Sequence, residues 1–120
     1  MSKLYFVCSP YRAETHKEVN TNVLVAQSIC RYVIKNLNGT PFAPHLLYTQ
    51  FLDDSIEDDR NQGIRCGLDI LAKCDYMIVL KDRITSGMQH EIDAANKMGV
   101  WISFVTLQML KEDVGLERYK

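Results

Sequence analysis

The chain has 120 residues, 47% hydrophobic and 24% charged, the composition of one ordinary globular domain with a single core. Its net charge of -1 carries no basic surplus, which argues against nucleic acid as a main partner. Met1-Ser2-Lys3 runs straight into an apolar stretch too short for a signal-peptide core or a membrane span, so a cytoplasmic protein without membrane attachment is expected.

Lys3 to Cys8 is a short apolar run stopped by Ser9-Pro10, which predicts a buried strand. Ser9 to His16 is a polar loop carrying Pro10, Tyr11 and Arg12. From Lys17 to Leu37, Val19, Val23, Ala26, Cys30, Val33 and Leu37 recur every three or four residues, an amphipathic helix that stops near Asn38-Gly39. Thr40 to Ala43 predicts a second strand, with Pro44-His45 after it, and Leu46 to Leu52 a short helix. Its Tyr48 and Phe51 serve either core packing or a cleft. Ser55 is read as the cap of a further helix, with Glu57, Asp58 and Asp59 at its positive end and Ile64, Leu68 and Leu71 as its buried stripe. Asp75 turns the chain into a strand from Tyr76 to Leu80. A helix from Ser86 to Gly99, a strand from Val100 to Val105 and a terminal helix from Thr106 to Asp113 complete the order.

Short apolar runs alternating with amphipathic helices imply a single α/β domain over residues 1–120. Its expected form is a three-layer α/β/α flavodoxin- or Rossmann-like fold with a parallel sheet of four to five strands. Ligands of such sheets lie beyond the carboxyl ends of the strands. Three segments follow strands directly and should converge there: Ser9 to Arg12, Pro44-His45, and Thr85 to Glu91.

The last of these is the most telling. At 100° per residue, Met88, Ile92, Ala95 and Gly99 share one side of the helix, and Glu91 falls within that apolar arc. A carboxylate there is either a hydrogen-bonded structural group or the lining of a cleft, and burial raises its pKa. Ser86-Gly87-Met88 offers backbone N–H groups to an anion, while Ser86 with Gln89 also fits a capping box. Ser9, Tyr11 and Arg12 suit a small anionic or sugar ligand, although an Arg in a turn is equally a surface residue. His45 is either a proton shuttle or an ordinary loop residue. The loop after the first strand has neither G-x-G-x-x-G nor G-x-x-x-x-G-K, so no dinucleotide or P-loop cofactor is expected. Cys8, Cys30, Cys66 and Cys74 form no Cys-x-x-Cys pair and complete no zinc spacing with His16, His45 and His90, so no metal is expected.

Cys8-Ser9-Pro10-Tyr11-Arg12, the pre-strand pair Cys74-Asp75, and Ser86 to Glu91 with Ala94-Ala95 and Gly99 behind it resemble the nucleoside 2-deoxyribosyltransferase-like proteins. That group includes the 2′-deoxynucleoside 5′-phosphate N-hydrolases. With Ala43-Pro44-His45-Leu46 and Ser86-Gly87-Met88, the chain more closely resembles a bacterial and phage domain related to those enzymes. The likeness covers about the first 105 residues, the part that supplies four parallel strands. It implies that Glu91 is a nucleophile at the anomeric carbon of a nucleoside or nucleotide, forming a glycosyl-enzyme that passes to water or another base. Glu91 and His45 would be catalytic, and Ser9, Pro10, Tyr11, Arg12, Ser86, Gly87 and Met88 would hold substrate.

The same resemblance implies a homodimer, for which Met88, Met98, Met109 and Trp101 are the apolar candidates. At the position of the family's second acid, eight residues before Asp75, this chain has Gly67. His45, Asp53, Asp54 and Asp59 are possible substitutes that no spacing separates, and Gly67 would leave room for a larger ligand. A second reading is a non-catalytic protein that senses or sequesters a nucleotide-derived metabolite in the same crevice, and a third is a small interaction domain whose crevice is vestigial.

Overall fold

The computed structural model describes residues 2–112. In chain order its elements are β1 (Leu4–Cys8), α1 (His16–Leu37), β2 (Thr40–Phe42), α2 (Pro44–Leu47), a 3-10 turn (Tyr48–Gln50), α3 (Glu57–Leu71), β3 (Tyr76–Leu80), α4 (Ser86–Met98), β4 (Trp101–Val105) and α5 (Leu107–Glu112). The four strands form one parallel sheet in the order β2-β1-β3-β4. Phe6 sits opposite Phe42 on one side and Met77 on the other, and Val79 sits opposite Phe104.

That order follows from connection rules. Right-handed crossovers put α1 on one face, because the chain moves outward from β1 to β2. They put α3 and α4 on the opposite face, because both carry the chain the other way. The packing agrees: α1 meets α5, and α3 meets α4. The two central strands are therefore covered on both sides, and Phe6 to Cys8 and Met77 to Leu80 are buried along their whole runs. Ile29 and Val33 of α1, Leu71 of α3, and Met88 and Ala95 of α4 close the core.

α1 starts where Thr15 accepts a hydrogen bond from the Glu18 amide at 3.2 Å and ends at Asn38, which takes the left-handed conformation with φ 53°. Asp75, before β3, accepts from the Leu4 amide at 2.8 Å and so fixes where β1 begins. Gly99 ends α4 at φ 75°, a conformation that suits glycine.

Several local expectations are corrected. α2 begins at Pro44 rather than Leu46, since proline suits the first turn of a helix. Ser55 does not cap α3: its hydroxyl donates to Asp53 at 2.6 Å, and the helix starts two residues later behind Ile56. Ile64 does not belong to the buried stripe and is 54% exposed. The cap of α4 is Thr85 instead of Ser86: its hydroxyl accepts from the Met88 amide at 3.2 Å, and the Met88 sulfur accepts from the Thr85 amide at 3.4 Å. Asp113, the expected end of the last helix, lies outside the described residues. Of the apolar residues expected at an interface, Met88 belongs to the core, whereas Met98 and Trp101 are exposed. Among the described residues no helix is long and apolar enough to cross a membrane.

Candidate active site

In a sheet of this order the chain leaves β1 and β3 toward opposite edges, so a crevice opens between their carboxyl ends. Cys8, the last residue of β1, is fully buried there. Its thiol donates to the Met88 carbonyl oxygen at 3.7 Å, in the first turn of α4, and lies beside the Glu91 carboxyl one turn further on.

Glu91 lines a cavity of about 70 Å³ whose other walls come from α2 with the following 3-10 turn, and from α3. Pro44, His45 and Tyr48 face Gly63 and Gly67 across it. A second, shallower cleft of about 480 Å³ is bordered by Tyr11, Phe51 and Asp53, and it shares Thr49, Leu52 and Asp54 with the first.

The glycines of α3 make this space possible. Gly63 and Gly67 are one helical turn apart and face the preceding segment. A methyl at Gly67 would sit 3.8 Å from the Pro44 Cβ, and one at Gly63 would sit 3.5 Å from a Leu52 methyl. Both are ordinary contacts, so packing does not demand glycine at either position. Each glycine costs a helix interior up to about 1 kcal/mol relative to alanine.

Burial pushes the Glu91 carboxyl up to about 7, with the adjacent Cys8 thiol pulling the other way. The same burial, with Glu91 beside it, pushes the Cys8 thiol far up, so this cysteine is a neutral donor and not a thiolate. His45 is pushed down by burial, against a smaller opposing pull from Asp54, so its imidazole is neutral at pH 7. The His45 ring stacks on Tyr11, with centroids 5.0 Å apart and planes 19° apart. Its backbone carbonyl accepts from the Thr49 hydroxyl at 2.6 Å.

The β1–α1 loop is tethered over this region. Arg12 pairs with Asp54 at 3.0 Å, and Asn22 of α1 donates to the Tyr11 carbonyl at 3.0 Å. Arg12 is thus engaged with a carboxylate on the cavity wall. Ser9 is 1% exposed, and its hydroxyl has no hydrogen-bond partner among the described residues. Pro10 is buried beside it.

The structure therefore brings together Glu91 and His45, with Tyr11 stacked behind the imidazole and Arg12 joined to the same wall through Asp54. Ser86 and Gly87 are exposed in the first turn of α4 and do not line the cavity. The Met88 side chain is 2% exposed, and its sulfur is committed to the helix cap.

The sequence pattern puts Cys8 at the end of a buried strand but does not link it to Glu91, and it gives Gly63 no role. The available signal for Gly63 was a pair of glycines at i and i+4 inside an otherwise helical pattern. Among the described residues no cluster of His, Cys, Asp and Glu could hold a metal ion.

No curated protein sequence matches the chain. Among solved structures it is similar to a 2-deoxyribosyltransferase from the psychrotolerant bacterium Bacillus psychrosaccharolyticus. The TM-score is 0.64 at 18% identity, over 86% of this chain and 72% of the other, a likeness of fold. The model of a family described as a domain of unknown function, DUF7768, matches residues 3–105, and the chain belongs to that family.

Proposed function

We propose that the protein is an N-glycosidase or deoxyribosyltransferase-like enzyme acting on a nucleoside or nucleotide, with Glu91 as the nucleophile. The observation that carries this reading is the Glu91 carboxyl: it lines a cavity at the strand ends, and burial disfavours its charge. Such a carboxylate gains most when positive charge develops opposite it, as at the anomeric carbon of an oxocarbenium-like transition state. Glu91 attacks that carbon, the base leaves, and water or a second base then takes the sugar. His45, held neutral against Tyr11, donates a hydrogen bond to the departing base and later receives a proton from the attacking water. The fold likeness to a 2-deoxyribosyltransferase is consistent with this chemistry.

A second reading has a specific observation behind it. Gly67 stands on the cavity wall at the position where the resemblance implies a second acid, which favours a nucleotide-metabolite binding protein without turnover. One assay separates the two. The protein is incubated with nucleosides, nucleotides and NAD, and released base is measured by chromatography. Release by the wild type and not by Glu91→Gln supports the enzyme. Thermal stabilisation by a ligand that is never cleaved supports the binding protein. Neither response to any of these compounds sinks both.

Outward-facing Met98 and Trp101 supply apolar surface for a homodimer in the cytoplasm, to be checked by light scattering.

A further inference from the structure

Resting on the glycosidase reading, we infer that the preferred substrate carries a positively charged, N-quaternised base on its sugar. Two independent features meet at this conclusion. The first is proton supply. A neutral base leaves a sugar as an anion unless an acid protonates it. On the cavity wall, Gly67 has no side chain to give a proton, and the His45 imidazole, pushed down by burial, is a poor acid at pH 7. Asp54 is held by Arg12, and Asp59 accepts the Asp53 amide at 2.9 Å, so both carboxylates are set up as acceptors. A quaternised base needs no proton, because its leaving nitrogen already bears the charge.

The second feature is the field of the site. The cavity and its adjoining cleft hold Asp53, Asp54, Asp59 and Glu91 against one guanidinium, Arg60, with Arg12 reaching in only to pair with Asp54. A cation entering this space is attracted, and its arrival favours the ionised form of Glu91. The aromatic residues Tyr11 and Phe51 border the outer cleft, where a flat cation would meet them.

The step balances without further reagents. The bond between C1′ and the base nitrogen breaks, and its electron pair stays on the nitrogen, which discharges the cation. A Glu91 oxygen bonds C1′. Water then displaces Glu91, leaving free sugar, neutral base and one proton, which His45 passes to solvent.

The test compares 7-methylguanosine with guanosine. Quaternised glycosides are intrinsically more labile, so binding is read beside cleavage. Kd is measured by calorimetry in Glu91→Gln, and base release is measured in the wild type. The methylated nucleoside is expected to bind roughly tenfold tighter or better at low salt. That margin should shrink as sodium chloride is raised and in Asp59→Asn, while wild type releases 7-methylguanine. Equal binding of the two nucleosides, with guanosine cleaved, overturns the charge preference and leaves the glycosidase standing. A margin indifferent to both salt and Asp59→Asn also overturns it. No cleavage of either compound, or of any other glycoside in the wider panel, removes the glycosidase reading itself.

Discussion

The two walls of the Glu91 cavity are built on different principles. The α4 wall is regular: Thr85 and Met88 close its first turn with two reciprocal hydrogen bonds, Met88 and Ala95 anchor it in the core, and Gly99 ends it cleanly. The opposite wall, α2 and α3, is less regular. α3 has no side-chain cap, carries two interior glycines on the cavity face and leaves Ile64 exposed. The reactive carboxyl stands on the wall that local sequence rules specify well. The open space is left by the wall where those rules are relaxed, which is the pattern expected where shape serves a ligand rather than stability.

Glu91→Gln probes the rigid wall hardest. Turnover is expected to fall roughly a thousandfold or more, as when a nucleophile is lost. Stability should move the other way. Because burial raises the carboxyl to about 7, the folded state holds its proton more tightly than the unfolded chain does. The folded protein therefore loses stability as pH climbs from the ordinary carboxylate range toward 7, by an amount on the order of 2–3 kcal/mol. Glu91→Gln is expected to raise the denaturation midpoint at pH 8 and to change it little at pH 4.5. A variant equally or less stable at pH 8 would show the carboxyl to be well solvated.

Activity should follow the same titration. With Glu91 required as the anion and its carboxyl near 7, kcat/KM should rise through neutral pH and level off above it. Cys8 sharpens this expectation, since its thiol beside Glu91 favours the ionised form. Cys8→Val keeps the shape and loses the donor, so the rising limb should move to higher pH. Cys8→Ser keeps the donor and should leave the limb near its wild-type position. A shift shared by both variants would mean that the thiol acts through packing alone.

How far the chain could be read in advance differs between the same two walls. Strands β1 and β3 are unbroken apolar runs with turn residues at their ends, and α4 alternates its faces cleanly, so their positions and the arc holding Glu91 follow from periodicity. The spacing puts the cap one residue late because Ser86 and Thr85 are both good capping types, and only backbone conformation distinguishes them. The α2–α3 region resisted for a physical reason. Ser55 spends its hydroxyl on the Asp53 turn, a local competitor to helix capping that sequence spacing does not rank. The partnership of Arg12 with Asp54 and the stacking of Tyr11 on His45 join residues far apart in the chain, which no local pattern encodes. Cys8 illustrates the same limit: its burial was legible, but its place beneath Glu91 depends on where α4 lands across β1.

The smallest expected effects bear most directly on the contrast between the walls. Thr85→Ala removes one acceptor from the start of α4 and should cost about 1 kcal/mol, read as a lower urea midpoint with unchanged slope. Gly67→Ala should do the reverse. The added methyl meets Pro44 at an ordinary 3.8 Å, and the helix gains up to about 1 kcal/mol in propensity. The same methyl intrudes on the cavity beside Glu91, so KM should rise or kcat fall while the protein becomes more stable. A Gly67→Ala protein that is stabilised and fully active would mean that the space beside Pro44 is not used by substrate. One that is destabilised would mean that the close approach of α2 to α3 is itself what requires glycine.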